Sequence, residues 1–163
     1  MYDPASALKG KEAVFAAHSE NAAIVALEAM VTDAKFDRDE LTLTVSREHV
    51  IAATDALKAA GYNFLEDVTA VDWYPSEPRF QITYHILSHG RKARVRLAVR
   101  LDSQDAAVDS ITPVWPSANF YEREIFDLFG VHFGGHPNLR RIMMPEDWQG
   151  HPLRKDYPVE GYR

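Results

Sequence analysis

Proline and glycine recur from Pro113 to the end of the sequence, and they limit where helices and strands can form. Both residue types interrupt regular elements, so only one helix of ordinary length fits into this part of the chain. An irregular stretch of roughly 30 residues is unusual within one domain, and such stretches are usually functional. We therefore expect the function to lie in residues 113–163, where the interruptions are Pro116, Gly130, Gly134, Gly135, Pro137, Pro145, Gly150, Pro152 and Pro158.

Residues 1–112 carry the pattern of an ordinary folded domain. Two amphipathic helices are predicted, one over Asn21–Val31 with Asn21 as the N-cap, the other beginning at Ser46 and stopping at Gly61. Between these helices, two short runs rich in β-forming residues suggest a hairpin. These runs and three later predicted strands lie at residues 34–37, 41–45, 64–73, 79–87 and 92–101.

The order of these elements predicts the fold class. A helix, two strands, a second helix and a three-strand meander give an α+β fold, with the helices packed on a mainly antiparallel sheet. One more helix and an extended Pro/Gly-rich C-terminal tail follow. We treat residues 1–112 as the α+β domain, and residues 113–163 as a helix and a tail of the same domain.

The strand predicted at residues 92–101 has two different faces. Apolar residues alternate along it with Arg94, Arg96 and Ala98, so one face belongs to the core and the other is basic. Alternating polar residues are typical of any half-buried strand. We interpret the basic face as solvated, with a binding surface as the alternative.

Composition excludes several classes of function. The 163 residues have an apolar fraction of 46%, which suits one soluble globular domain with its own core. No run approaches the roughly 18 apolar residues that span a bilayer, and the start, MYDPASALKGKE, lacks a secretory or transit signal, so a cytosolic protein is expected. The absence of cysteine excludes disulfides, thiolate nucleophiles and cysteine-ligated metal or iron–sulfur sites. The net charge of −6 argues against nucleic-acid binding.

The stretch EREIFDLFG, at residues 122–130, belongs to the one helix predicted after Pro113. Asn119 is its predicted N-cap, Glu122 occupies the capping-box position, and Gly130 follows the last apolar residue as a C-cap. Helical spacing also predicts the face that packs on the core. That face consists of Tyr121, Ile125, Leu128 and Phe129.

A second face of this helix carries aromatic and charged residues. Phe120 and Phe126 are predicted to project away from the core. They flank Arg123 and Asp127, an i, i+4 pair of opposite charge. Exposed aromatic patches mark interaction sites, so we expect the helix to be covered on both sides.

Two glutamates border the face that packs on the core. Glu122 and Glu124 would be partly desolvated there, which is tolerable only where cations satisfy them. A partner could supply such cations. Within the chain, the candidates are Arg123, Arg140, Arg141 and Arg154.

An alternative interpretation of the same region is catalytic. Its two histidines nearest in sequence, His132 and His136, are separated by Gly134 and Gly135, so they do not share a helix face as the histidines of HExxH do. We interpret the histidines as hydrogen-bonding or turn residues, with a metal-dependent hydrolase as the alternative. The sequence contains no G-x-G-x-x-G, P-loop or G-x-S-x-G motif. The residues that the hydrolase would use are Glu124, Asp127, His132, His136 and His151.

Two long blocks of sequence resemble a known family. The first is WPSANFYEREIFDLFGVHFGGHPNLRRIMMPEDWQGHPLRKDYPVEGY, from Trp115 to Tyr162, and the second is GYNFLEDVTAVDW, at residues 61–73. Both resemble the C subunit of proton-pumping NADH:quinone oxidoreductase, respiratory complex I, in its stand-alone bacterial form. The family signature is met by Glu122, Arg123, Glu124, Asp127, Leu128, Phe129, His136, Arg140, Ile142 and Met143.

The resemblance implies a peripheral-arm subunit that holds no cofactor and carries no catalytic or metal-binding residue. FMN, iron–sulfur clusters and quinone belong to other subunits of that complex. The chain would dock the D subunit, which frames the quinone site together with the B subunit, and would support assembly of the quinone-reducing module. It would lie on the cytoplasmic side of the inner membrane and reach the membrane only through the complex.

Partner contacts are expected on the helix and the tail. The equivalent subunit of a related energy-converting membrane hydrogenase or dehydrogenase is a close alternative, because those assemblies share this module. The expected contact residues are Phe120, Glu122, Arg123, Glu124, Phe126, Asp127, His136, Arg140, Arg141, Arg154, Lys155 and Asp156.

Overall fold

The structure, a computed structural model, describes residues 7–161. Tyr162, the last residue of the longer family block, lies outside the described residues. In this part of the chain the helices are α1 (Lys11–Ala17), α2 (Ala22–Leu27), α3 (Val50–Ala59) and α4 (Ala118–Phe129), with a 3-10 turn at Arg47–His49. The strands are β1 (Leu8–Lys9), β2 (Val31–Asp37), β3 (Glu40–Val45), β4 (Phe64–Asp72), β5 (Phe80–Ser88), β6 (Ala93–Leu101), β7 (Ala107–Asp109) and β8 (His132–Gly134).

Six of these strands form one sheet in the order β1-β2-β3-β6-β5-β4, and β7 and β8 form a separate parallel pair. Neighbours in the large sheet are antiparallel apart from β3 and β6. Those two run parallel, and α3 with the β4–β5 pair provides the long crossover that a parallel connection needs. The mainly antiparallel sheet with its helices confirms the α+β fold predicted from the sequence.

One face of the sheet supplies most of the hydrophobic core. Its residues alternate along each strand because successive side chains of a strand point to opposite faces. Helices α2, α3 and α4 add Ile24, Leu27, Val50, Leu57, Ala118 and Ile125 to the same cluster. The strand residues are Leu41, Leu43, Val45, Phe80, Ile82, Tyr84, Ile86, Val95, Leu97 and Val99.

The opposite face of β6 is the basic face predicted from its alternation. Arg94 and Arg96 both pair with Glu40, and Arg94 also pairs with Glu66. Ala98, which follows them on this face, is only 2% exposed. The charges of Arg94 and Arg96 are therefore balanced within the chain.

The local predictions were confirmed at two helix ends and differ at the short elements. Asn21 caps α2 by accepting a 2.9 Å hydrogen bond from the amide of Ala23, and Gly61 adopts the predicted left-handed conformation at φ 90°. Val31, predicted as helical, begins β2, and Ser46 precedes the 3-10 turn instead of capping α3. Elements α1, β1, β7 and β8 were not predicted, because runs of 2 to 7 residues carry too little periodicity.

Candidate partner-binding site

Helix α4 begins earlier than the capping pattern predicts. The position before its first residue is occupied by Ser117, which makes no capping hydrogen bond, so Asn119 is not the N-cap. At the other end, Gly130 takes the left-handed conformation at φ 71°, as predicted for the C-cap. Ile125 and Leu128 are buried on the predicted core face. The face was correct although the start of the helix was not.

Glu122 is fully buried and bonds to uncharged groups instead of cations. Ser110 donates its hydroxyl to Glu122 Oε2 at 2.5 Å, and the amide of Ile111 donates to Oε1 at 2.8 Å. Burial raises the pKa of Glu122 to about 7, although these two hydrogen bonds oppose the rise. The prediction that an arginine satisfies Glu122 is therefore wrong. The capping box predicted for Glu122 does not form either, because its carboxylate bonds to Ser110 and Ile111 in the segment after β7 and not to the start of α4.

Asp127 is also fully buried, and it organises the chain that follows β8. Arg141 pairs with its Oδ1 at 2.8 Å. Its Oδ2 accepts hydrogen bonds from three consecutive amides, those of Ile142 at 3.0 Å, Met143 at 2.7 Å and Met144 at 2.9 Å. Burial alone would raise the pKa of Asp127, but these donors outweigh burial and lower it. The i, i+4 pair predicted with Arg123 does not form, because Arg141 takes the carboxylate.

His136 has the hydrogen-bonding role predicted for it. Its buried ring bonds through Nε2 to the backbone oxygen of Asn119 at 3.1 Å, while Nδ1 accepts from the amide of Asn138 at 3.0 Å. This pattern requires the neutral ring with its proton on Nε2. Burial lowers the pKa of His136, and the nearby charge of Arg123 lowers it further, against the raising effect of the Asn119 carbonyl.

The last carbonyls of α4 are satisfied by the tail, which explains why the two pack together. Helix C-termini leave carbonyl groups without partners. Here His151 Nδ1 donates to the oxygen of Asp127 at 2.9 Å, and the amide of Leu153 donates to that of Leu128 at 3.0 Å. Arg154 Nε completes the set by donating to the oxygen of Phe129 at 2.6 Å.

A second buried ion pair fixes the tail to the sheet. Arg79 pairs with Asp72, the last residue of β4, at 2.8 Å, and with Asp156 at 2.6 Å. The amide of Lys155 donates to Asp72 at 2.8 Å. Burial alone would raise the pKa of Asp72, but bonds from Arg79, Lys155 and Tyr74 outweigh it and lower the pKa to about 2. Neither Asp72 nor Arg79 was predicted as a functional residue from the sequence, although Asp72 lies inside the block GYNFLEDVTAVDW.

The predicted contact residues differ in how far they are exposed. Glu122, Arg123 and Asp127 are buried, so their side chains are placed by contacts within the chain. Phe126 packs partly buried against the core instead of projecting away from it, because the core cluster covers more of the circumference of α4 than the predicted face. The side chain of His136 is buried, and Arg141 and Arg154 lie partly buried. The exposed residues are Phe120, Glu124, Arg140, Lys155 and Asp156.

The residues of the hydrolase alternative are not brought together. His132 lies exposed on β8, beside Arg47, Asp105 and Asp109. Within residues 7–161, no group of three or more histidine, aspartate or glutamate side chains is placed to hold a metal ion. In the same range no helix combines the length and apolar character needed to span a bilayer.

Comparison with known proteins places this arrangement in a family. Residues 43–163 match the family model described as respiratory-chain NADH dehydrogenase, 30 kDa subunit. The chain belongs to this family. Membership in the 30 kDa subunit family confirms the resemblance inferred from the sequence blocks, and the match includes the three buried carboxylates Asp72, Glu122 and Asp127.

Two relatives illustrate how close the family resemblance is. The C subunit of the NADH-quinone oxidoreductase of Citrifermentans bemidjiense is 45% identical over 146 residues, covering 86% of this chain and 91% of that protein. The corresponding C subunit of Geobacter sulfurreducens is 46% identical over 147 residues, with the same coverage of both chains. Within the 30 kDa family, the chain is therefore of the same type as these bacterial C subunits.

Solved structures show the same fold. The trypsin-resistant fragment (1-134) of Nqo5 superposes with a TM-score of 0.58 at 35% identity, over 61% of this chain and 83% of that chain. A chain of the membrane-bound sulfane sulfur reductase, described as an archaeal respiratory membrane complex, gives a TM-score of 0.75 at 25% identity, over 86% of both chains.

Proposed function

We propose that this chain is the cofactor-free C subunit of a proton-translocating NADH:quinone oxidoreductase and that it docks the quinone-binding D subunit. In this role it supports assembly of the quinone-reducing module from a peripheral position on the cytoplasmic side of the inner membrane. The B subunit and other peripheral-arm subunits are further partners. FMN, iron–sulfur clusters and quinone lie in other subunits, and the lack of cysteine in this chain supports that division because clusters are held by thiolates.

The observation that carries this proposal is the way the C-terminal segment, residues 135–161, is held. The segment contains no helix or strand, yet Asp127, Arg79 and the α4 carbonyls fix it at several points along its length. Large apolar side chains nevertheless remain exposed on it. A fixed surface with exposed apolar groups is preorganised for binding, because less freedom is lost when the partner arrives. These side chains are Ile142, Met143, Trp148, Leu153 and Val159.

A capture experiment tests this proposal. The affinity-tagged chain is co-expressed with the D subunit of the same organism, and the D subunit retained is quantified by mass spectrometry. Trp148→Ser and Leu153→Ser are each expected to reduce the retained amount at least tenfold. Val25→Ser is the matched control, since Val25 is 63% exposed on α2 and far in sequence from the segment. Failure of the unaltered chain to retain the D subunit would refute the docking role.

The isolated chain gives a second test. We expect it to show no flavin or iron absorption and no NADH oxidation. Stoichiometric flavin or iron in the pure chain, or NADH oxidation by it, would contradict the cofactor-free role.

The likeness to a chain of the sulfane sulfur reductase, a respiratory membrane complex of another kind, shows that this fold is not confined to NADH-quinone oxidoreductases. The other candidate is therefore the equivalent subunit of a related energy-converting membrane hydrogenase or dehydrogenase. The two candidates differ in the other subunits of the assembly. Native mass spectrometry of the complex purified from its own host through the tagged chain separates them. An NADH-binding flavoprotein among the subunits supports the first candidate, and a hydrogenase-type large subunit supports the second.

A further inference from the structure

Arg123 is buried on α4 and lacks a carboxylate partner within residues 7–161. The residue is 7% exposed, and its Nε donates to the backbone oxygen of Arg140 at 3.2 Å. A guanidinium carries five N–H donors. In the described part of the chain, this carbonyl occupies one of them and leaves the two terminal amino groups for another acceptor.

The acidic residues next to Arg123 on the helix do not compensate its charge. Glu122 is bound to Ser110 and Ile111, and Asp127 is bound to Arg141 and three amides. Glu124 is exposed at the next position of the helix and forms no ion pair with Arg123. A largely buried cation without a counter-charge is costly, so an added acceptor would stabilise Arg123.

The end of the Arg123 side chain reaches the surface. In residues 7–161, the side-chain polar atoms that are both buried from solvent and without a hydrogen-bond partner belong to Tyr84, Arg96 and Arg100. In the same range, the terminal nitrogens of Arg123 also have no partner but are not among these buried atoms, so they are accessible to solvent. The guanidinium lies 5.8 Å from the ring centroid of Phe120, which is 66% exposed. Arg140, whose backbone oxygen accepts from Arg123, is itself exposed.

We infer that the terminal amino groups of Arg123 bind a carboxylate side chain of the docking partner. The inference rests on the proposed function and names the partner chemistry at its site. The planar fork of an arginine matches a carboxylate through two parallel hydrogen bonds. Phe120 supplies an exposed apolar rim, and arginine with an aromatic neighbour is the composition of an interface hot spot. A polypeptide carboxylate can use both the guanidinium and the apolar rim, whereas a small free anion uses only the guanidinium.

The first test uses the capture of the D subunit by the full chain. Arg123→Gln, which removes the charge, is expected to reduce capture at least tenfold. Arg123→Lys keeps the charge but lacks the fork, and it is expected to recover only part of the loss. Arg94→Gln is the matched control, because Arg94 is exposed and already paired with Glu40 and Glu66. Capture by the Gln variant equal to that of the unaltered chain would overturn the inference.

A charge exchange shows whether the acceptor is a carboxylate of the partner. Arg123→Glu is combined in turn with single Asp→Lys or Glu→Lys substitutions on the surface of the D subunit. One of these is expected to restore capture at least tenfold over Arg123→Glu alone. If none restores it, the partner carboxylate is excluded.

Two outcomes of these experiments are kept apart. If the unaltered chain captures no D subunit, the proposed function fails; if it captures the D subunit and the Gln variant does so equally, only the Arg123 inference fails. Inorganic phosphate serves as the probe for a free anion. Phosphate that raises the melting temperature of the unaltered chain but not of Arg123→Gln, with capture unaffected by the substitution, would assign the site to an anion and overturn the inference.

Discussion

Asp127 and Arg141 form an ion pair of 2.8 Å that joins the last turn of α4 to the C-terminal segment. The same carboxylate accepts hydrogen bonds from the next three amides of the segment, so one side chain fixes four consecutive residues. The exposed apolar residues Ile142 and Met143 are among those four. The geometry of the proposed binding surface therefore depends on Asp127, which is itself buried.

Removing this carboxylate is expected to loosen the segment. Asp127→Ala leaves three amides and Arg141 without their acceptor, which we expect to lower the free energy of unfolding by about 3 kcal/mol. Limited trypsin digestion, followed by mass spectrometry, checks the local effect, because cleavage after Arg140, Arg141 and Arg154 should become at least tenfold faster. Glu124→Ala is the control, since Glu124 is exposed on the same helix. Equal cleavage rates in the two variants would contradict the role given to Asp127.

The contact between Gly130 and the tail can be tested with a pair of glycines. A Cβ at Gly130 would lie 2.5 Å from His151 Nε2 and 2.7 Å from Arg154 Nη2. Gly135 has almost the same conformation, φ 72° against φ 71°, but no atom lies within 4 Å of its added Cβ. Both alanine variants bear the left-handed backbone strain of about 1 to 2 kcal/mol. Gly130→Ala should therefore lose more stability than Gly135→Ala by at least about 1 kcal/mol in urea unfolding, and equal losses would mean that the tail does not pack there.

Acid should destabilise the chain through Asp72. Its pKa is lowered to about 2 in the folded chain, against about 3.9 when unfolded. The stabilisation is therefore complete above pH 4 and is lost as the pH falls from 4 towards 2, a loss of about 2 kcal/mol. Asp72→Asn should unfold more easily at pH 6 and show a shallower loss below pH 4. Urea unfolding monitored by tryptophan fluorescence at each pH measures both effects; parallel curves for the two chains would count against the ion pair with Arg79.

Glu122 should act in the opposite direction. Its folded pKa of about 7 lies above the unfolded value, about 4.3, so the folded chain binds the extra proton between these values. Stability should then fall as the pH rises from about 4 to 7, by up to about 3 kcal/mol, and change no further above 7 from this group. Glu122→Gln should remove this decrease in stability. Tyr84 and His136 are the other titratable groups near Glu122, and they remain in the variant. Unfolding at pH 5 and pH 8 measures the difference, and an unchanged dependence in the Gln variant would assign it to another group.

The fold class followed from local patterns because each long element is periodic. The alternation Leu41, Leu43, Val45 in β3 marked a buried strand face whatever its neighbours were. The α4 face of Ile125 and Leu128 was equally readable from helical spacing. Which strands pair with each other could not be predicted in this way. The parallel pairing of β3 with β6 joins residues more than 50 positions apart, and no local pattern encodes it.

The partners of the buried charges were the least predictable feature. Sequence spacing suggested Arg123 for Asp127, but the folded chain brings Arg141, 14 positions away, to that carboxylate. Asp72 and Arg79 hold the tail because the folded chain brings Lys155 and Asp156 next to them, and no local pattern in the sequence indicates these contacts. Charged side chains are long and pair with whatever the fold delivers, so their spacing in sequence does not fix their contacts.

The sequence by itself determined the α+β class, the approximate positions of the long elements, the irregular C-terminal segment and the family, because periodicity, Pro and Gly placement and motif blocks are local properties. Only the tertiary structure decided that Glu122 and Asp127 are buried and that Phe126 packs against the core. The physical reason is that burial and ion pairing depend on which distant segment folds over a helix. In this chain, the tail supplies the partners of Asp127, and the segment after β7 supplies those of Glu122.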